Sequence, residues 1–390
     1  NLAVLYERQG LTAKALVMYD KVLQVKPDYA PAIVARAGLI EFSGDAKSSA
    51  KAIKILTQAI KSNDKEVLFK GALAQAYARV GQLSKAQKLA IKVLELDERN
   101  AQAMLALGMI YRRQQKYELS QFALNNAIEI NKNFGEAYNE KGLVLYELDI
   151  KPLAVQAFEK AVEYSPHIAS IHNNLGVLRS IVGAFKNSII SMEKAIELSQ
   201  NRADYYLNYG IALRGDQRYS DAEKAYKRAL ELDGGMAAAY YNLGVLYLDN
   251  DFENVDLLTR FQTSIENLTK YISMVKVSKE EREKLDGYIA LAEKSIKNEH
   301  RRLKRIEKRR KRQEAKRKKA EEKQKAEEVK KLEEQAAADQ LIQDEQDKKL
   351  EQEVESSTKE VLENKTLEKS EDGETKREEN NEVSPEGESQ

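Results

Sequence analysis

Small residues recur along this chain with a period of about 34 residues, each within an apolar stripe. Aligned on the small residue near the middle of each stripe, the chain steps by 34, 37, 34, 34, 34, 34 and 34 residues. The aligned positions are Ala3, Ala37, Ala74, Gly108, Gly142, Gly176, Gly210 and Gly244. A period of this length is typical of one hairpin of two helices, and such hairpins stack into a solenoid.

Each repeat holds two apolar stripes at helical spacing. With the aligned residue taken as repeat position eight, positions four, seven, eight and eleven share one face of a first helix. Positions twenty, twenty-four and twenty-seven share one face of a second helix. The small residue at position twenty is expected to face position eight, so that the two backbones approach closely. Large residues at positions four and twenty-four are expected to fill the space between hairpins. Pro27 and Pro166 stand where the second helix should end.

These residues resemble the tetratricopeptide repeat family over residues 1 to about 275. The resemblance implies an all-α fold, a solenoid of about eight hairpins whose first helices line a concave face. Two departures stand out. The second repeat has three extra residues between Gly44 and Ala52, which we interpret as a longer turn. The eighth repeat loses the family pattern after Asp251 and continues as a longer helix with an apolar stripe at Leu257, Phe261 and Ile265.

Beyond the repeats, the sequence predicts three further segments. Residues 276–298 form a capping helix, whose apolar positions are Leu285, Ile289, Leu291, Ala292 and Ile296. Residues 299–355 contain neither Gly nor Pro and are predicted to be a charged, mostly single helix. Its Glu–Lys pairs at spacing i, i+4 are Glu307–Lys311, Glu314–Lys318, Glu321–Lys325 and Glu327–Lys331. No heptad pattern persists, so a stable coiled coil is not expected. Residues 356–390 form an acidic tail that is predicted to be disordered.

Composition and charge limit the possible functions. The net charge of +1 conceals a basic segment at 297–331, with 18 Lys and Arg against 7 Asp and Glu, and an acidic segment at 332–390, with 7 against 20. Cysteine is absent, which excludes disulfides and thiolate sites. HExxH, Walker and GxGxxG motifs are also absent, so we predict a non-enzymatic protein without cofactor or metal. No apolar run approaches the roughly 18 residues of a membrane span.

An asparagine series is the first candidate binding feature. Asn174, Asn208 and Asn242 occupy position six of three successive repeats. Because an amide both donates and accepts hydrogen bonds, a row of them on the concave face could hold an extended peptide. The alternative is that Asn at this position only serves solubility in the family. The predicted partner-binding residues are Asn139, Asn173, Asn174, Asn208, Asn242, Tyr205, Tyr241 and Arg214. Tyr206, Tyr240 and His172 are expected to pack in the core, and His167 is expected to be exposed.

A basic run at 301–319 is the second candidate. Its cations include Arg301, Arg302, Lys304, Arg305, Arg309, Arg310, Lys311 and Arg312. They could bind phosphates of a nucleic acid or an anionic surface. The run has no aromatic residue to stack on bases and no wide apolar face to enter lipid, so a charged helical spacer is the competing interpretation.

We therefore predict a scaffold that binds a protein or peptide, with a nucleic-acid or anionic-surface binder as the alternative. A chaperone co-factor that binds acidic C-termini ranks lower, because the cationic clamp residues are not evident. Residues 240–312 also resemble the bacterial gliding-motility-associated tetratricopeptide lipoproteins, which implies a periplasmic or outer-membrane-associated assembly; a cytoplasmic location is the alternative. Asn1 falls inside a repeat, so we expect upstream sequence that could carry a signal or lipid anchor. Partner identity and oligomeric state stay open.

Overall fold

The computed structural model describes residues 1–42, 46–252 and 255–365, and this part of the chain is helical with no strand. The predicted all-α solenoid is confirmed. The helices run in the order α1 (Leu2–Arg8), α2 (Thr12–Val25), α3 (Ala30–Phe42), α4 (Ala46–Ser62), α5 (Val67–Arg79), α6 (Leu83–Leu96), α7 (Ala101–Arg113), α8 (Tyr117–Ile130), α9 (Gly135–Glu147), α10 (Lys151–Tyr164), α11 (Ala169–Ile181), α12 (Phe185–Leu198), α13 (Ala203–Gly215), α14 (Tyr219–Leu232), α15 (Ala237–Asp249), α16 (Leu257–Met274) and α17 (Lys279–Lys365).

Consecutive helices from α1 to α16 pair into eight hairpins. In each hairpin the odd-numbered helix comes first and packs on the even-numbered helix that follows. Each first helix also contacts the second helix of the preceding hairpin. From α3 to α15, each first helix contacts the first helix of the next hairpin as well. Apolar stripes on both helices are therefore buried on neighbouring repeats, as in a solenoid whose stability comes from nearest-neighbour interfaces.

The small residue at position eight accommodates the large residue at position twenty-four of its own hairpin. A Cβ atom added to Gly142 would lie 2.7 Å from Phe158, and one added to Gly210 would lie 2.4 Å from Tyr226. Position twenty meets the backbone of position eight, because Ser188 Oγ donates to the Gly176 carbonyl at 2.7 Å. Position twenty-four also packs between hairpins, as the sequence pattern predicted, because Phe158 shares a buried cluster with Leu175 and Leu178 of the next hairpin.

The turns between paired helices share one backbone device. A residue with positive φ ends the first helix in six hairpins, namely Gly10, Gly81, Gln115, Asp149, Gly183 and Gln217. The amide after it reaches back into the helix: for example, Ala184 N donates to the Arg179 carbonyl at 2.8 Å. This left-handed terminus satisfies helix-end carbonyls and favours glycine.

The two departures from the period are accommodated differently, in the second helix alone in one hairpin and in both the connection and the second helix in the other. Three positions separate α3 from α4, as between other paired helices, and α4 has 17 residues where α6, α8 and α10 have 14. The three extra residues therefore lengthen the helix, and the predicted longer turn is wrong. In the eighth hairpin, seven residues separate α15 from α16. The second-helix serine that bonds the carbonyl at position eight therefore comes eight residues later than it does in the sixth hairpin. Ser264 donates to the Gly244 carbonyl at 2.7 Å, and Leu268 packs on Gly244.

The chain divides after Arg301 into two units. In the first unit, the start of α17 packs on the eighth hairpin, where Leu285 is buried with Val245 and Leu268, and Ala292 with Leu248 and Phe261. In the second unit, the side chains of α17 from 302 to 359 are exposed. The predicted capping and charged segments are therefore one continuous helix. It includes 356–365, where disorder was predicted; the rest of that prediction, 366–390, lies outside the described residues.

Candidate partner-binding face

The predicted asparagines form pairs between neighbouring first helices. Asn174 donates from Nδ2 to Asn139 Oδ1 at 2.9 Å, and Asn208 donates from Nδ2 to Asn173 Oδ1 at 2.9 Å. Asn242 instead donates to the Ala238 carbonyl of its own helix at 2.8 Å. Each pair joins position six of one repeat to position five of the preceding repeat. A paired amide uses only one of its two N–H groups or one of its oxygen lone pairs, so hydrogen-bonding capacity remains on the half-buried Asn139, Asn174 and Asn208. Asn173 is buried at 8% exposure and, contrary to the prediction, is not open to a partner.

The aromatic residues do not all lie where the sequence analysis expected them. Tyr205 is 3% exposed and packs with Ala169 and Ala195, so its ring is not available for stacking on a partner. Tyr206, expected in the core, is half-buried. Tyr241 is half-buried and its ring centroid lies 5.3 Å from that of Tyr271.

Other predicted residues have defined partners. Arg214 lies 3.5 Å from the Asp249 carboxylate of the next first helix. His172 is buried, as expected, and its Nε2 donates to the Pro166 carbonyl at 2.9 Å. His167 is largely buried, contrary to expectation, because its Nε2 lies 3.4 Å from Glu7 of the first hairpin. Within the first unit, α1 is therefore in contact with the connection between α10 and α11.

Two adjoining cavities lie on the surface formed by the first helices, which we call the first-helix face. Their volumes are about 330 and about 270 Å³. The first cavity is lined from five hairpins and by His167, and the second includes the Asn139–Asn174 pair. Glu41, Arg79 and Glu136 line both. These cavities were not predicted from the sequence, although one signal for them was present. Repeat position two is polar in four successive repeats, at Gln102, Glu136, Ser170 and Asp204.

Ion pairs organise this face. Arg79 contacts Glu41 at 2.6 Å, and Arg112 contacts Glu140 at 2.9 Å and Glu147 at 2.6 Å. Burial alone would lower the pKa of Arg79, but the Glu41 and Glu136 carboxylates more than offset it, and the pKa lies above its ordinary value. Because removing one partner of a buried pair leaves an uncompensated charge, these contacts fix the positions of the helices that carry them.

The basic run forms one exposed surface on α17. Every side chain from 301 to 319 is exposed. Lys311 contacts Glu307 at 2.8 Å, as the spacing predicted. Four further pairs beyond residue 301 run in the opposite order, with the cation first: Arg310–Glu314, Arg317–Glu321, Lys323–Glu327 and Lys330–Glu334. Exposed pairs of this kind contribute little stability, so the cations remain accessible to a large anion.

The described residues contain neither a metal-ligand cluster nor a membrane-spanning helix. No cluster of three or more His, Cys, Asp or Glu side chains suited to a metal ion occurs among them. Within the same residues, every helix is too polar or too short in its apolar stretches to cross a bilayer.

Two stretches of the repeat array match a known family profile. The Tetratricopeptide repeat family profile matches residues 72–136 and 207–251. A chain from the crystal structure of the APC/C hetero-tetramer Cut9-Hcn1 superposes with a TM-score of 0.59 at 16% identity, over 75% of this chain. This chain spans 54% of the length of that one. The molecule is thus an α-solenoid of helical hairpins, and its residues 72–136 and 207–251 match the tetratricopeptide repeat profile.

Two smaller structures are also similar. The Pseudomonas aeruginosa pilF structure is 19% identical and covers 57% of this chain and 97% of its own, with a TM-score of 0.48. YrrB, described as a TPR protein with an unusual peptide-binding site, is 21% identical and covers 47% of this chain and 95% of its own, with a TM-score of 0.36. No curated protein sequence matches this chain.

Proposed function

We propose that this protein is a non-catalytic interaction scaffold whose first-helix face binds an extended segment of a partner protein. The observation that supports it is the position of the two amide pairs. Asn139–Asn174 and Asn173–Asn208 lie in consecutive repeats, and Asn139 and Asn174 also line a cavity. An extended chain presents N–H and C=O groups at regular intervals, and the amides can meet both kinds of group.

Replacement of three asparagines tests the proposal. Asn174→Ala, Asn208→Ala and Asn242→Ala together should abolish capture of the partner from native cells, scored by quantitative mass spectrometry. The matched control is Asn267→Ala on the second helix α16, because Asn267 donates to the carbonyl four residues earlier at 2.8 Å, as Asn242 does. Retention of the same partner by the triple variant, with its helicity intact, would refute the proposed binding face.

A second candidate function is binding of an anionic polymer through the segment 301–319. The observation in its favour is the uninterrupted exposure of the cations on α17. The logarithm of the binding constant should then fall linearly with the logarithm of the salt concentration. The slope is about −0.9 for each phosphate of duplex DNA that the protein neutralises. A labelled DNA duplex titrated at several salt concentrations measures this slope. The scaffold proposal expects Arg309→Gln, Arg310→Gln and Arg312→Gln to leave partner capture unchanged, whereas the second candidate expects DNA affinity to fall.

The narrower proposal places the scaffold in a bacterial cell-envelope motility assembly. It rests on the resemblance of residues 240–312 alone. Fractionation of native cells with an antibody to the chain tests it. Recovery with envelope components of such an assembly supports the proposal, and recovery in the cytoplasmic fraction contradicts it.

A further inference from the structure

The larger cavity has an incomplete hydrogen-bond network. Among the described residues, seven buried side-chain atoms have no hydrogen-bond partner, and four of them belong to residues that line this cavity. They are Glu41 Oε1, Gln75 Nε2, Gln102 Oε1 and His167 Nδ1. Buried polar atoms in folded proteins are nearly always paired, so a concentration of unpaired ones at one cavity indicates that a ligand supplies the missing partners.

Two of these side chains are held firmly in place. The Glu41 side chain is 6% exposed, and Arg79 contacts its other oxygen, Oε2, at 2.6 Å. Gln75 is 7% exposed and follows Ala74, which is fully buried at position eight of its repeat. Neither side chain can therefore turn to bulk water without disrupting the surrounding packing.

The cavity carries an excess of carboxyl groups. Glu7, Glu41 and Glu136 line it together with Arg79 and His167. Burial, with smaller contributions from Arg8 and His172, lowers the pKa of His167 to about 4, so its ring is neutral at pH 7. Burial also raises the pKa of Glu7; the Tyr19 hydrogen bond partly opposes this, and the charge of Glu136 adds to it. A cation that entered here would relieve the repulsion between carboxylates.

We propose that this cavity binds the guanidinium or ammonium group of a basic residue in the partner segment. The cation donates to Glu41 Oε1 and Gln102 Oε1, and a carbonyl of the same segment accepts from Gln75 Nε2. Val34, Leu39 and Leu56 also line the cavity and suit the aliphatic stem of such a side chain. This inference rests on the proposed function, since it names the chemistry of the segment that the first-helix face binds.

The test compares two labelled peptides on the full chain by fluorescence anisotropy. One is acetyl-Gly-Ala-Arg-Ala-Gly-amide and the other carries citrulline, a neutral isostere, in place of arginine. We expect the arginine peptide to bind at least about tenfold more tightly, which corresponds to about 1.4 kcal/mol. Equal affinity for the two peptides, or no binding of either up to about 5 mM, would overturn the inference.

Three variants locate the binding. Glu136→Gln keeps a similar shape and should weaken the arginine peptide about tenfold without affecting the citrulline peptide. Glu129→Gln, on an exposed position of α8, is the matched control and should change neither. Gln75→Leu should weaken both peptides while leaving the free chain at least as stable, because it removes a buried unpaired donor. Undiminished binding by both Glu136→Gln and Gln75→Leu would exclude this cavity.

Failure of this inference is distinguishable from failure of the proposed function. If the asparagine variants lose the partner while the two peptides bind alike, the first-helix face binds a segment without a basic residue in this cavity. If the asparagine variants keep the partner, the face itself is wrong.

Discussion

Adding one methyl group at Gly210 should destabilise the solenoid, although alanine is the better helix former. The new Cβ would lie 2.4 Å from Cε1 and 2.6 Å from Cδ1 of Tyr226, closer than carbon atoms approach in proteins. Tyr226 is fully buried, with an exposure of 0%, and lies in a cluster with Ala212, Ala222 and Leu246. Its ring therefore has no open space into which it can move.

The expected size follows from two opposing effects. Overpacking of a filled core costs about 1–3 kcal/mol. Replacing glycine by alanine within a helix returns about 1 kcal/mol. The net prediction for Gly210→Ala is a destabilisation of up to about 2 kcal/mol. Gly38→Ala, in α3, is the control, because the added Cβ would meet no neighbouring atom within 4 Å. It should stabilise the folded chain by about 0.5–1 kcal/mol.

Urea unfolding followed by helical circular dichroism measures both changes. Because solenoids need not unfold in one step, hydrogen exchange of the α13 and α14 amides should accompany it. We expect Gly210→Ala to lower the unfolding midpoint and to speed exchange in these two helices, and Gly38→Ala to raise the midpoint. A rise in the midpoint for Gly210→Ala comparable to that for Gly38→Ala would refute the packing described here.

Three further predictions concern single residues. Gln217 and Gly183 both have positive φ, +63° and +81°, a conformation that favours glycine. In the same urea experiment, Gln217→Gly should stabilise the folded chain by about 1 kcal/mol, and Gly183→Ala should destabilise it by a similar amount. Tyr226→Phe should not lower the unfolding midpoint, because the buried Tyr226 hydroxyl has no hydrogen-bond partner; a loss above about 1 kcal/mol would contradict this. Burial lowers the pKa of His172 below 6.5, despite its hydrogen bond to Pro166, so the unfolded chain takes up the proton first as the pH falls. Stability from this residue is thus present above pH 6.5 and lost below it, and thermal melts of His172→Tyr should show a smaller loss between pH 7 and pH 5 than the wild type.

The hairpin fold could be predicted from the sequence because each repeat carries the same pattern of small and apolar positions. Position eight is small wherever the second helix approaches, and the 34-residue period fixes which stripes pair. The extra residues of the second repeat were assigned to the wrong element because the sequence pattern is equally consistent with a longer turn and with a longer helix. Only the positions of α3 and α4 distinguish them.

The candidate site was less predictable, since it depends on how the repeats wind. Glu7 and His167 meet although 160 residues separate them, and this contact results from small rotations summed over five repeats. The asparagine series was visible, but its pairing depends on the offset of one first helix against the next. Tyr205 is the buried residue of the pair and Tyr206 is half-buried, because one residue along a helix turns the side chain by about 100°.

Site-specific photo-crosslinking tests the central claim, that the first-helix face binds the partner. Benzoylphenylalanine replaces Asn242 on the first helix α15 in one variant, and Phe122, which is 67% exposed on the second helix α8, in the other. We predict that irradiation in native cells links the Asn242 variant, and not the Phe122 variant, to one partner segment. Crosslinks to that partner from Phe122 alone, or equally from both positions, would contradict the account.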